Sequence, residues 1–435
     1  MKRFKKTLRW TGIIIGGLVG IGLIANAIFV WTTDTRLERQ LAAIRAAGDP
    51  LTLAEFARPP IPAEKNAATY LRRAEADVAA IAGIELSGYA DFLMPPGDQK
   101  IFKAALAAHP NVIPLLEQAA ACPGLYADMD CTLPAAVIIG KMLPDINLLR
   151  ADVRVLKDRA RLLAAEGNCD EAARTSLLLF RLAQHCEQFG PPMGVNYLVA
   201  MAIRGDAVDT ANVSLQAGPV SKKTRNALDA ELAIQDRLEG FAPALKSERV
   251  VSLDYFGCES PFRNLWLVNR GVWNRRKSEY LDKMNVLLNL LREPVSYQQA
   301  ERILGETDFL ARAFRGGQEE FERPFFGAMG MFHGVTLQRA RIRSLRVLNA
   351  LQTHVPAGIN DVPKLTDLGL PAEAITDPYT GEPLHVKRTP QGWLVYSVGP
   401  NFRDDGGKLG DPGDPDAGDV GVGPPPLVAK RDKKD

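Results

Sequence analysis

The longest apolar run lies close to the N-terminus. From Thr11 to Trp31, "TGIIIGGLVGIGLIANAIFVW", no residue carries a charge. As a helix these residues reach about 31 Å, enough to cross the hydrocarbon core of a bilayer. Trp10 and Trp31 bracket the run, where indole rings favour the two interfaces. Past it, apolar positions recur at helical spacing. "DTRLERQLAAIRAAGDP" (Asp34–Pro50) predicts a short charged helix ended by Gly48 and Pro50. "RPPIP" (Arg58–Pro62) predicts a stiff spacer, because proline fixes φ. From Ala63 to about His354, helical stretches follow one another with Gly/Pro breaks and no run of alternating strands. The expected fold class is mainly α.

The clearest unit runs from Asp145 to Gly190. Its periodicity holds to Glu166, breaks at Gly167-Asn168 and restarts with Asp170-Glu171, acidic residues that suit a first turn. So short a turn predicts two antiparallel helices. "AAEGNCDEAA" resembles the turn and second helix of a tetratricopeptide repeat, with Ala160 and Ala172 where that repeat needs close helix contact. No second copy appears at a 34-residue period, so a generic helical hairpin stands beside that resemblance. Further helices are expected at Val195–Leu215, Ser221–Glu239, Arg275–Arg292 and Thr336–His354. The pattern then changes: "LHVKR" and "WLVYSV", joined by Thr389-Pro390-Gln391-Gly392, predict a β-hairpin.

Charge changes the picture at the N-terminus only. The net charge is +2, and five basic residues (Lys2, Arg3, Lys5, Lys6, Arg9) lie in the first ten; without them 48 Lys and Arg face 51 Asp and Glu. That balance gives no case for nucleic-acid binding. Positive charge before the apolar run and Asp34 after it predict a cytoplasmic N-terminus with the bulk outside. The alternative is a cleaved signal peptide, since Ala25-Asn26-Ala27 fits a small-x-small site. Gly12, Gly16 and Gly20 share one face of the expected span, where small residues permit a homodimer. "ESPFRNLWLVNRGVWNRRK" mixes Phe262, Trp266 and Trp273 with Arg263, Arg270, Arg275 and Arg276; it reads as a helix with a buried aromatic face, or as a surface for membrane headgroups.

Candidate chemistry is sparse. The five histidines (His109, His185, His333, His354, His385) have no metal partner at helix spacing. No G-x-S-x-G elbow, P-loop or dinucleotide fingerprint is present, and no catalytic residue or enzymatic activity is identified. Of the five cysteines, Cys122 and Cys131 flank the turn-rich "CPGLYADMDC" and are the best candidates for a disulfide. Cys169 and Cys186 lie too far apart on one helix to bridge.

"DPYTGEP" (Asp377–Pro383), "VYSVG" (Val395–Gly399) and the Asp/Gly-rich stretch to Val420 form an ordered set that resembles the C-terminal part of the type II secretion major pseudopilin. The resemblance covers about 80 residues. It implies a helix (Thr336–His354) leading into a small antiparallel sheet and a calcium-binding loop. Carried over, the ligands would be Val398 through its carbonyl, Asn401, Asp404, Asp405, Asp411 and Asp419. Asn401 stands where the family has Asp, and the spacing to Gly406-Gly407 differs by one residue. A disordered acidic linker is the alternative. The span lacks the Gly-Phe processing site and helix Glu of a pseudopilin. The chain as a whole is similar to uncharacterised bacterial membrane-anchored envelope proteins. That implies the bacterial inner membrane and these parts: a basic segment 1–10, a span 11–31, a stalk 32–62, a helical domain 63–335, a pseudopilin-like module 336–419 and a tail 420–435. The expected function is a single-pass envelope protein with a helical scaffold that binds another protein or the cell-wall or membrane surface. Membership of a secretion or pilus-like assembly, or an envelope enzyme with an unrecognised site, are the alternatives.

Overall fold

One helix, α1 (Lys2–Ala46), carries the apolar run directly into the charged segment without a break. In this computed structural model the described residues are 2–86, 92–258, 266–292, 295–304, 323–354, 362–410 and 418–425. They form twelve α-helices and a small antiparallel sheet. Most large side chains between Trp10 and Trp31 stand bare, from 56% to 69% exposed, while Phe29 and Val30 are half-buried. This helix alone is long and apolar enough to cross a membrane among the described residues, and a signal sequence near the N-terminus has the same features.

The body follows as α2 (Ala67–Ala82), α3 (Pro96–Ala108), α4 (Val112–Ala121), α5 (Ala135–Ala165), α6 (Cys169–Gln188), α7 (Gly194–Ala217), α8 (Lys222–Gln235) and α9 (Phe241–Cys258). The α5–α6 hairpin turns where the periodicity broke. Gly167 takes the left-handed conformation (φ 80°), and Asn168 caps α6 by accepting from the Glu171 amide at 3.4 Å. Ala160, Ala164 and Ala172 are buried together, so the two helices approach closely. Three helices complete the set. They are α10 (Trp266–Leu290), α11 (Tyr297–Leu304) and α12 (Arg323–His354).

Two of these start earlier than expected, α10 at Trp266 and α12 at Arg323. From Ala328 to Leu351 nearly every residue of α12 is buried, so it is a central core helix. Its arginines reach outward to acids on neighbouring helices. Arg341 pairs with Asp209 of α7, Arg346 Nε with Asp229 of α8 at 3.0 Å, and Arg343 Nε with both oxygens of Asp236 at 3.1 Å.

The sheet is a meander of β1 (His385–Thr389), β2 (Gly392–Ser397) and β3 (Val420–Val422). The β1–β2 hairpin is the one expected, with Thr389 opposite Gly392. The third strand corrects the expected boundary: Val420–Val422 belongs to the sheet, not to a tail, while 426–435 lie outside the described residues. Trp393, Val395 and Val422 join Ile342, Leu345 and Leu348 of α12 in one apolar core that extends through α5, α6 and α7. A boundary at residue 336 therefore divides continuous packing.

Candidate functional site

The loop singled out from the sequence is organised around Asp419. This residue is fully buried; its two oxygens accept the backbone N–H groups of Asp405 (3.2 Å) and Gly407 (2.6 Å). Burial holds its carboxyl above the usual range, against the two amides, with Asp404 and Asp405 adding repulsion. Asp404 faces the sheet instead. It accepts from the Tyr396 hydroxyl and the Gly406 amide, and His385, stacked on Tyr396, lies 3.7 Å away. The Gly406 amide is the main reason its carboxyl sits below the usual range. Asp405 takes the Asn401 side chain at 2.7 Å. Val398 gives its amide to Asp377, and Asp411 lies outside the described residues.

Among the described residues no three carboxylate, histidine or cysteine side chains gather round one metal-sized point. Asp404 and Asp405 are turned to different partners, and Asp419 is engaged by the backbone.

Other residues marked in the sequence have plain settings. Cys122 and Cys131 are free thiols donating to the Gln118 and Met129 carbonyls, so the expected bridge is not formed in this structure. Burial raises both thiols. Gly12, Gly16 and Gly20 face open space on α1. His185 is buried against the Ala119 carbonyl, and His333 against Tyr297 and Tyr379; burial pushes both imidazoles down to about 4, so they are neutral at pH 7. His109 pairs with Asp77.

The feature with most chemical capacity was not visible in the sequence. A cavity of about 460 Å³ opens at the seam where α10, α11 and α12 meet the turn "DPYTG". Leu290, Leu291, Val295 and Phe332 give it apolar lining, and Arg292, Arg339 and Arg343 give it cationic lining, with Phe332, Arg339 and Arg343 on one face of α12. That volume suits a small ligand or a chain end. Arg343 is spent on Asp236 and, through Nη1, on the Thr376 carbonyl at 2.9 Å. Among the described residues Arg339 gives its Nε to the Asp236 carbonyl at 3.1 Å and stands 3.9 Å from the carboxylate of the same residue. Two guanidinium groups thus share one acid. Burial, with Arg343 close by, lowers the Arg339 pKa despite Asp236. Glu373 is the exposed acid at the cavity, and Asp377 turns its carboxylate into the module.

A second cavity, about 310 Å³, lies between α6, α7 and α8. Its Arg204 is buried and already held by Glu187 (2.6 Å) and Gln235 (2.7 Å), so it offers less unmatched charge. No family model, curated protein or solved structure matches the chain.

Proposed function

We propose that this chain is a single-pass, membrane-anchored envelope protein whose helical body binds a partner. The seam cavity is its binding site, taking a chain end or loop that bears a carboxylate. The observation that carries this reading is a cavity in which Arg339 and Arg343 share Asp236 among apolar lining residues. A carboxylate there would give Arg339 the bidentate partner that Asp236 denies it, and the apolar lining would bury an apolar neighbour. The bare apolar helix is the support for the anchor.

The test is photocrosslinking in intact cells. A photoreactive side chain in place of Val295 should capture one partner that the same side chain in place of Ile101 does not; Ile101 lies on α3, which lines no part of the cavity. Arg339→Glu should abolish the adduct while leaving the protein's level unchanged. Equal labelling from both positions would remove the cavity as the site, and turnover of a substrate by the purified protein would replace binding with catalysis.

A second reading, a component of a secretion or pilus-like assembly, is favoured by one specific observation. A helix leads into an antiparallel meander and an aspartate-held loop, the order that the pseudopilin resemblance implies. In that reading calcium draws Asp404 and Asp405 toward Asp419. Calcium should then raise the melting temperature of the full-length protein in detergent more than magnesium does, because magnesium demands a stricter cage. Asp404→Ala with Asp405→Ala should cancel the difference. An unchanged melt would mean that Asp419 orders the loop without a metal.

A further inference from the structure

Helices α1 and α10 lie side by side and run in the same direction. At one level Gly271 meets Phe29 and Val30 so closely that a Cβ there would fall 2.6 Å from the Phe29 ring. Next, Arg270 and Asn274 both hold Asp34, Arg270 through Nη2 at 2.8 Å. Further along, Gln40 reaches the Ser278 carbonyl (3.2 Å) and Asp282 (2.6 Å), and Arg36 also reaches Asp282. These contacts fix a register in which positions advance together on both helices.

The register has a consequence at the other end. Helix α10 begins at Trp266, five residues before Gly271, so its first residue lies about 7.5 Å further toward the N-terminal end of α1. That places Trp266 beside the Ala25–Asn26 turn, inside the apolar run that ends at Trp31. The sequence of α10 agrees with this depth. Its first turn is Trp266-Leu267-Val268-Asn269, its first charge is Arg270, and Arg275, Arg276 and Lys277 follow. Both helices therefore change from uncharged to charged within roughly one to two turns of the same level, although the changes are written some 240 residues apart.

We infer that the first turn of α10 is a second membrane contact, seated in the leaflet on the side of the body and flanked by a basic turn at headgroup level. This rests on α1 being a membrane span. The partner is the lipid surface itself, with anionic headgroups favoured by the basic turn. Gly271 is what lets the two helices enter together, since close approach needs a small residue. With two contacts the body cannot pivot freely about α1, so one face stays turned to the bilayer.

The experiment places an environment-sensitive fluorescent amino acid, one position at a time, in the full-length protein in nanodiscs. The positions are Leu18 on the span, Val268 and Val272 on α10, and Val286 further along α10. Lipids brominated near the headgroup or deep in the chains serve as quenchers. Deep lipids should quench at Leu18. Headgroup-proximal lipids should quench at Val268 and Val272 at least about threefold more than at Val286, with a larger effect in anionic nanodiscs. Gly271→Leu should reduce quenching at Val268 and leave Leu18 unchanged. Val268 and Val272 as dark to lipid as Val286, with Leu18 quenched, would overturn the seat and keep the anchor. No quenching at Leu18 would overturn both.

Discussion

Asp236→Ala should lower the melting temperature of the full-length protein by about 4–6 °C, corresponding to a loss of about 3–5 kcal/mol. Asp236 sits at the C-terminal end of α8 and faces α12, the most deeply enclosed helix of the body. Its side chain is 8% exposed, that of Arg343 13% and that of Arg339 36%. Removing the acid leaves the Arg343 guanidinium buried with only the Thr376 carbonyl, beside a second cation that repels it. A buried charge without a counter-charge is far costlier than the pair was favourable. The control follows from the same physics. Asp236→Leu combined with Arg343→Met should recover most of the loss, because no ion then lacks a partner. Arg341 and Arg346, paired with Asp209 and Asp229, should be less sensitive, since those acids are 54% and 39% exposed and water can replace them. A loss below about 1 kcal/mol for Asp236→Ala would show that α12 does not depend on this pair.

The elements readable in the sequence are those whose signals are local. The apolar run is continuous, so α1 needs no tertiary context. Gly167-Asn168 breaks a helical period and supplies both a left-handed residue and a cap, so the α5–α6 turn stands where it was expected. Two strand-like runs on either side of Thr389-Pro390-Gln391-Gly392 marked the β1–β2 hairpin, which stands where it was expected. The start of α12 gave no such signal. "FFGAMGMFHGV" is apolar or small except for His333, and the described part of it is enclosed on nearly all sides, so it has no polar face to set a helical period. Strand β3 is three residues long, too short for alternation to show. The arginines of α12 pair with acids more than 100 residues away, and the seam cavity joins walls that are separated along the chain. Spacing within a motif cannot report either. The loop aspartates show the same limit: the resemblance names them as a set, while the contacts that hold Asp419 to the Asp405 and Gly407 amides come from the fold.

The same contrast gives Asp377 its weight. In the sequence it opens a turn; in the structure it latches the C-terminal module shut. The residue is 1% exposed, and its oxygens accept from the Tyr379 amide (2.8 Å), the Ser397 hydroxyl (2.7 Å) and the Val398 amide (3.0 Å). One carboxylate thus joins the "DPYTG" turn to the end of β2, and the turn in turn forms part of the seam cavity. Asp377→Ala would strand two backbone donors and a hydroxyl where water cannot easily reach, at a cost of about 3–5 kcal/mol. Asp377→Asn should not rescue it, because the amide nitrogen would confront a donor whichever way it is turned. The damage should begin in the module. Trp393, 5% exposed, should shift its emission to the red at lower denaturant than the helical circular-dichroism signal falls, and proteases should cut between Thr376 and Val422 first. Crosslinking from Val295 should weaken in parallel, since the turn that walls the cavity would be loose. A melt within about 1 kcal/mol of the native protein would show that this carboxylate closes nothing. Normal stability with lost crosslinking would instead make Asp377 part of the binding surface and end its role as a latch.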